Sequence, residues 1–544
     1  MNAVTSRNPG ALAIEVTPGL IADETAFKVR QAGWTEVDGV RPFRQGMETC
    51  RGYESYNTTT FSGLCRGLFA WRDNASLTNL AVGTHTNLYV EVGGLLADIT
   101  PGEETLLAED GEILTDELGE TLITESFIDG NEHGFGGSGY GTGAYGSGGY
   151  GQPSLGDFFP LTWTFGQYGE WLIANPRNRG VFVWKNDTDT KAAQLENAPA
   201  VCDSILVTDR HIIAYGCSEE LSGTYNPRCI RWCDFEDVTD WTTATNNNAG
   251  EYILDNAGRI VRAMPVGSAI YVWTTDGLYA QQFVGSPGQT YFFDTVATGC
   301  GLIGPNAVIV LGQTAYWMSP DRKFWIMPFG MAPMRLVSPV ARDVADNLAA
   351  AQDEKVYATS RTEFNEVRFY YPDQRDGDGL ECSRYVAYNV AEKKWYAASH
   401  PRTAEIDQST TPYPVATDPD GNIYLEEKGF SANGGAITRR CRTGFFYVAE
   451  GARAISLRRL WPNFDDRQGT LLLTLYGRME PDGEETTFGP YTVRVTDRVV
   501  DLGTEAGLPT AAMFALEWKS TVAPSFWRLG KITIDPVVRG RGIR

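Results

Sequence analysis

From Gly67 to about residue 435, apolar and aromatic residues come in short runs of about four to eight, set apart by Gly, Pro, Asn and Asp. Leu68-Phe-Ala-Trp71, Leu80-Ala-Val-Gly-Thr84 and Asn87-Leu-Tyr-Val-Glu-Val92 open the series. Gly93-Gly94 then separates the third run from Leu95-Leu-Ala-Asp-Ile99, which predicts a hairpin across a two-glycine turn. Similar strands are predicted at Trp163–Phe165, Glu170–Ala174, Gly180–Trp184, Ser204–Thr208, His211–Tyr215, Cys229–Trp232, Glu366–Tyr371, Ser383–Tyr388 and Lys394–Tyr396. Asp418-Pro-Asp-Gly421-Asn-Ile-Tyr-Leu425 adds a strand pair around a tight turn. Helical spacing is persuasive only around 340–352.

Two of these units match each other 45 residues apart. Tyr271-Val-Trp-Thr-Thr-Asp276-Gly-Leu-Tyr279 leads to Gly285, and Tyr316-Trp-Met-Ser-Pro-Asp321-Arg-Lys-Phe324 leads to Gly330. Aromatic, Asp, aromatic and Gly recur at equal offsets, so each unit reads as strand, turn, strand, turn. A hairpin repeat of roughly 40–50 residues is the pattern of propeller blades. The predicted fold class is all-β: a β-propeller of about six or seven blades over 66–436. An extended N-terminal arm precedes it at 1–65, broken by Pro9, Pro18 and Pro42, and is expected to pack on its own body or on a neighbouring subunit.

The last stretch, 437–544, alternates differently. Ile455–Leu460, Thr470–Tyr476, Tyr491–Val495, Phe514–Trp518 and Trp527–Ile534 predict a β-sandwich of about seven strands. It ends in a basic tail, Val538-Arg-Gly-Arg-Gly-Ile-Arg544.

The segment 101–160 breaks the blade pattern. Residues 101–132 hold 11 Asp or Glu and no Lys or Arg. A Gly-rich stretch follows, with Tyr140, Tyr145 and Tyr150 spaced by glycine. It has too little apolar bulk to fold alone, so it reads as a surface loop or as a partner-contact loop, because Tyr adds contact area with a hydrogen-bonding tip. Arg539, Arg541 and Arg544 are the matching candidates in the tail, as contacts for an acidic neighbour or as a frayed end.

The chain carries a net charge of −22, which argues against a protein that grips nucleic acid through phosphate contacts. It fits a surface that DNA slides past without adhering, and equally a soluble acidic protein. The charge is uneven, since 437–544 is net +4 and the remainder −26. Nine cysteines without C-x-x-C spacing predict buried, reduced thiols. No apolar run reaches the ~18–20 residues of a membrane span, and Met1–Arg7 lacks the apolar stretch of a signal peptide.

The search for chemistry finds no P-loop, G-x-S-x-G or H-E-x-x-H, and His85, His133, His211 and His400 fall in no triad or metal motif. Ser319-Pro-Asp321-Arg-Lys-Phe-Trp325 is similar to the Asp-box turn of sialidase propellers, a structural turn, with no assignable nucleophile beside it. Asp376 and Asp378 sit in an Asp/Gly-rich turn, where the choices are a solvated loop and a weak calcium site. The expectation is a non-enzyme without cofactor or metal.

One resemblance adds a function. Gly33-Trp-Thr-Glu-Val-Asp-Gly-Val-Arg-Pro-Phe-Arg-Gln-Gly46, Gly67-Leu-Phe-Ala-Trp71, Val82-Gly-Thr-His-Thr-Asn-Leu-Tyr89, Leu96-Ala-Asp-Ile-Thr-Pro101, Gly141–Gly146 and Trp163–Ala174 occur in that order. The order resembles large virion proteins of tailed bacteriophages from aquatic bacteria, and the tail nozzle or hub proteins of short-tailed phages, also called packaged-DNA stabilisation proteins. It covers roughly 30–185, with an echo at Phe526–Asp535. The resemblance implies a propeller made in the host bacterial cytoplasm and built into the virion tail as a homohexameric ring. Its partners would be the portal–adaptor and other tail proteins, and it would help retain DNA and then pass it without specific binding. The rival expectations are a receptor- or glycan-binding tail protein and a propeller hydrolase.

Overall fold

The computed structural model describes residues 11–23, 33–102, 130–133, 159–255, 257–286, 289–448, 454–504 and 507–538. Seven four-stranded antiparallel sheets follow one another along the middle of the chain. Blade 1 comprises Cys65–Arg72, Thr78–Thr84, Leu88–Val92 and Leu95–Asp98, and blade 2 comprises Trp163–Tyr168, Trp171–Pro176, Phe182–Trp184 and Ala193–Gln194. Blade 3 runs from Cys202–Val207 to Gly250–Ile253, and blade 4 from Ile260–Val266 to Gln289–Thr298. Blade 5 runs from Val308–Leu311 to Met334–Arg335, and blade 6 from Tyr357–Arg361 to Lys394–Ser399. Blade 7 takes Ala404–Ile406, Val415–Thr417 and Ile423–Glu426 from this region, and its fourth strand, Tyr53–Ser55, from the N-terminal segment. The first strands touch in ring order and the first strand of blade 7 packs on that of blade 1, so the ring closes. The protein is an all-β propeller of seven blades.

The repeated units fall where the pattern predicts. Tyr271 and Tyr316 lie in the second strands of blades 4 and 5, and Asp276 and Asp321 in the turns that lead to the third strands. Gly93 and Gly94 both take positive φ, at 60° and 93°, which the tight turn between Val92 and Leu95 requires.

The N-terminal segment is woven into the body. Leu12–Ile14 pairs with Ile532–Val538, which pairs in turn with Ile455–Trp461. Gly33–Asp38 pairs with Arg439–Thr443, in a sheet that continues through Met513–Ser520, Leu471–Arg478 and Thr486–Val493. Val40–Phe43 and Gly46–Thr49 form a third sheet with Phe526–Leu529 and Phe464–Gln468. The stretch Trp527–Ile534, expected as one strand, divides near Gly530 between two of these sheets, where the Gly530 N–H bonds the carbonyl of Asn463. Leu471, Leu473 and Leu475 alternate inward with half-buried neighbours, as the strand period demands.

One apolar core joins the C-terminal residues Leu473, Phe514, Trp518 and Trp527, whose strands fall in sheets shared with the N-terminal segment and not in a separate sandwich of 437–544 alone, to Trp273, Trp317, Phe369 and Trp395 of blades 4 to 6. The expected helix is Ala341–Asn347, followed by a 3₁₀ turn at Ala350–Lys355. Its first turn is capped from far away, because the Asp23 carboxylate accepts the N–H groups of Arg342 and Asp343 at 3.1 Å each.

Candidate functional site

The residues that sequence singled out as contacts, Tyr140, Tyr145, Tyr150, Arg539, Arg541 and Arg544, lie outside the described residues, as does 103–129 of the acidic stretch. Both roots of the insertion are described. The segments 130–133, inside the insertion, and 159–160, at its second root, lie beside Arg66 and Arg177, next to the first strands of blades 1 and 2.

Charged groups meet there. Glu354 accepts hydrogen bonds from Arg177 Nη1 of the blade 2 turn and from Arg259 Nη2 beside blade 4, each at 2.9 Å. Phe159, at the second root of the insertion, packs under both guanidiniums, at 4.1 Å and 4.6 Å from its ring centre. Within the insertion, His133 lies beside Glu381, which also takes Arg66 through both Nη atoms at 2.8 Å and 2.7 Å, and Lys355 Nζ at 2.8 Å. Burial would raise the Glu381 carboxyl, but Arg66, His133 and Lys355 outweigh it and hold the group well below the usual range.

Beside these groups the central channel holds a cavity of about 250 Å³. Phe69, Phe165, Met264 and Ile309 supply apolar wall, and Thr162, Thr359 and Arg262 supply polar groups. Sequence reasoning missed this site. Its charged members sit singly in alternating runs such as Ile260-Val-Arg-Ala-Met-Pro-Val266, and only ring closure brings them together.

A second charge cluster fastens the N-terminal strand Val40–Phe43 to blades 6 and 7. Glu427 takes Arg41 Nη2 at 2.6 Å and Arg368 Nη2 at 2.6 Å, all three buried. Glu366 accepts Tyr396 Oη at 2.6 Å, Glu405 lies 2.6 Å from Arg361 Nη2, and Glu426 takes Arg402 Nε at 2.7 Å and His400 Nε2 at 3.0 Å.

The hints of chemistry resolve into structure. Ser319 accepts the Trp325 indole N–H at 3.0 Å and donates to the Lys323 carbonyl, so the Asp-box-like segment is a turn. Asp376 is paired with Arg384, at 2.9 Å to Nη2, and Asp378 accepts the Leu380 N–H. Among the described residues no group of three or more His, Cys, Asp or Glu is placed to hold a metal ion. The nine cysteines are buried and free. No helix among the described residues is long and apolar enough to cross a membrane.

The opposite face of the propeller, formed by the turns from first to second and third to fourth strands, carries exposed apolar side chains on three consecutive blades. Phe235 comes from blade 3, Phe283 and Phe292 from blade 4, and Phe329, Met331 and Met334 from blade 5. Phe283 is 43% exposed and Met331 55%. The rim is continuous, since Arg210 of blade 3 lies 4.2 Å from the Phe283 ring centre and Phe329 covers the first turn of blade 4 at Gly267.

No family model matches this chain, and no curated protein does. Among solved structures it is similar to the computationally designed Ika8 protein (11% identity, 69% of this chain and 99% of that one, TM-score 0.35). A chain of the Mitotic Checkpoint Complex matches at 11% identity over 70% of this chain and 94% of that one, TM-score 0.37. BamB from Moraxella catarrhalis matches at 13% identity over 53% and 81%, TM-score 0.30. At these identities and scores the likeness is one of fold alone and assigns no activity.

Proposed function

We propose that the chain is a structural subunit of a phage tail. In this reading it is a nozzle or hub protein whose copies ring the DNA conduit below the portal–adaptor, holding DNA back and then letting it pass. The observation that carries the reading is the exposed apolar rim across blades 3 to 5 on an otherwise strongly acidic protein. Contiguous apolar surface marks a partner site. A closed ring requires each copy to offer one surface to a different surface of the next. The N-terminal strands and the shared apolar core join the propeller and the C-terminal sheets into one continuous unit. A net charge of −22 suits a conduit past which phosphates must slide.

The test is quantitative mass spectrometry of purified particles, scaled to the major capsid protein. About six copies per particle is the expected result, as a hexameric ring requires. Absence from the particle sinks the reading.

A receptor- or glycan-binding tail protein is the second reading. It is favoured by the Tyr252–Phe293 pair beside the rim, stacked at 4.3 Å with Tyr252 exposed, because sugars stack on such platforms. Retention of host oligosaccharide by wild-type protein and its loss in Tyr252→Ala would select this reading over the first.

A further inference from the structure

Arg262 stands in the inner strand of blade 4, just past a bulge. Ile260 faces Thr274 and Arg262 faces Trp273, so Val261 is the extra residue. Bulges re-aim side chains, and here the guanidinium enters the central cavity. Every other charged side chain on the cavity wall has a partner. Arg66 and Lys355 share Glu381, Glu354 holds Arg177 and Arg259, and Glu405 holds Arg361. Asp407 accepts Ser360 Oγ at 2.9 Å and the Thr362 N–H at 2.8 Å.

Arg262 has none. A guanidinium offers five N–H donors, and no hydrogen bond or ion pair joins them to any described residue. Its Nη1 is sealed from solvent, while the side chain keeps part of its surface on the cavity. Burial pushes its pKa down to about 10, so it stays charged at neutral pH. With Nη1 buried and unbonded and the rest of the side chain partly exposed, the guanidinium is a cation open to a partner in the cavity.

We propose that the central cavity binds a small organic monoanion, its carboxylate on Arg262 and its apolar body against Phe69, Phe165 and Met264. A carboxylate fits the planar guanidinium fork in bidentate fashion. Phe69 and Phe165, their ring centres 6.4 Å apart, give the cavity an aromatic wall. At ~30 Å³ per water the cavity holds the equivalent of about eight waters, room enough for a molecule of benzoate size. The proposal is independent of any role in a virion.

The test is isothermal titration of the full chain with benzoate, benzamide and inorganic phosphate, on wild type, Arg262→Met and Arg262→Lys. Benzoate should bind wild type one to one, at least about tenfold more weakly to Arg262→Met, and with intermediate loss to Arg262→Lys. Benzamide, neutral and of the same shape, should bind neither wild type nor variants measurably. Thermal melts check the folding of both variants, and benzoate should raise the melting midpoint of wild type but not of Arg262→Met. No benzoate binding to wild type, or undiminished binding to Arg262→Met, overturns the proposal. Phosphate binding tighter than benzoate overturns the role given to the apolar wall.

Discussion

Glu427 shows how much a single residue holds here. It follows blade 7, Arg368 belongs to blade 6 and Arg41 comes from the N-terminal strands, so one carboxylate ties three distant segments. Burial would raise its pKa, but Arg41, Arg368 and Arg361 outweigh burial and keep it ionised far into acid. Glu427→Gln leaves two buried guanidiniums short of charge and should cost about 3–5 kcal/mol, read as a shift in denaturant midpoint. A change under about 1 kcal/mol would mean that water reaches the site and screens it. His400 gives a pH dependence. Burial, with Arg402 beside it, pushes its pKa down to about 4, against the pull of Glu426. The unfolded chain takes up that proton near 6.5, so stability is full above 6.5 and is lost as pH falls toward 4. His211, also pushed down to about 4 by burial, acts in the same direction. In His400→Gln the loss of unfolding free energy between pH 6.5 and 4 should be shallower by up to about 1.4 kcal/mol per pH unit. Equal slopes in wild type and variant would show that the proton is taken up elsewhere.

Between elements, small residues make room for large ones. The Trp163 ring of blade 2 lies on Gly83 of blade 1, where an added Cβ would overlap it, a Cβ added at Gly67 would sit 2.7 Å from the Trp163 Cβ, and the indole donates to the Thr84 carbonyl at 2.8 Å. Sequence placed these residues in one ordered set of motifs, and the fold brings them into contact. Gly83→Ala should destabilise by about 1–3 kcal/mol, because the wedge forces the second strand of blade 1 away from the first strand of blade 2, and urea titration measures it. Hairpins such as Tyr271–Tyr279 and Tyr316–Phe324 were legible because aromatic spacing and turn residues are local signals. The N-terminal strands were not. Tyr53–Ser55 completes blade 7 by pairing with Ile423–Glu426, and pairing at that separation leaves no trace in local composition. The division of Trp527–Ile534 was hidden for a related reason, since alternation continues through Gly530 while the strand changes sheets. The channel site was illegible because Arg66, Arg177, Arg262 and Glu354 come from different blades or the links between them, and each looks like a solvated charge in its own run.

For the whole molecule, the proposed ring has two candidate contact surfaces, and ionic strength separates them. Each copy carries −22, so copies brought side by side repel. A contact made by the rim of Phe283, Phe292, Phe329 and Met331 is carried by apolar side chains. Added salt would then screen only the repulsion, since the screening length shrinks from about 30 Å at 0.01 M to about 8 Å at 0.15 M. Self-association through the rim should therefore strengthen with salt. A contact made by Arg539, Arg541 and Arg544 on an acidic neighbour is itself electrostatic and should weaken over the same range. Sedimentation velocity of the purified chain across that range reads the sign directly. Phe283→Glu with Phe292→Glu should abolish a salt-strengthened assembly and leave a tail-mediated one intact. Both side chains are about half exposed in the single copy, so these changes spare its core and a lost assembly reports the interface. A complex that forms at low salt, dissolves at high salt and ignores the rim substitutions would transfer the ring contact from the propeller face to the basic tail.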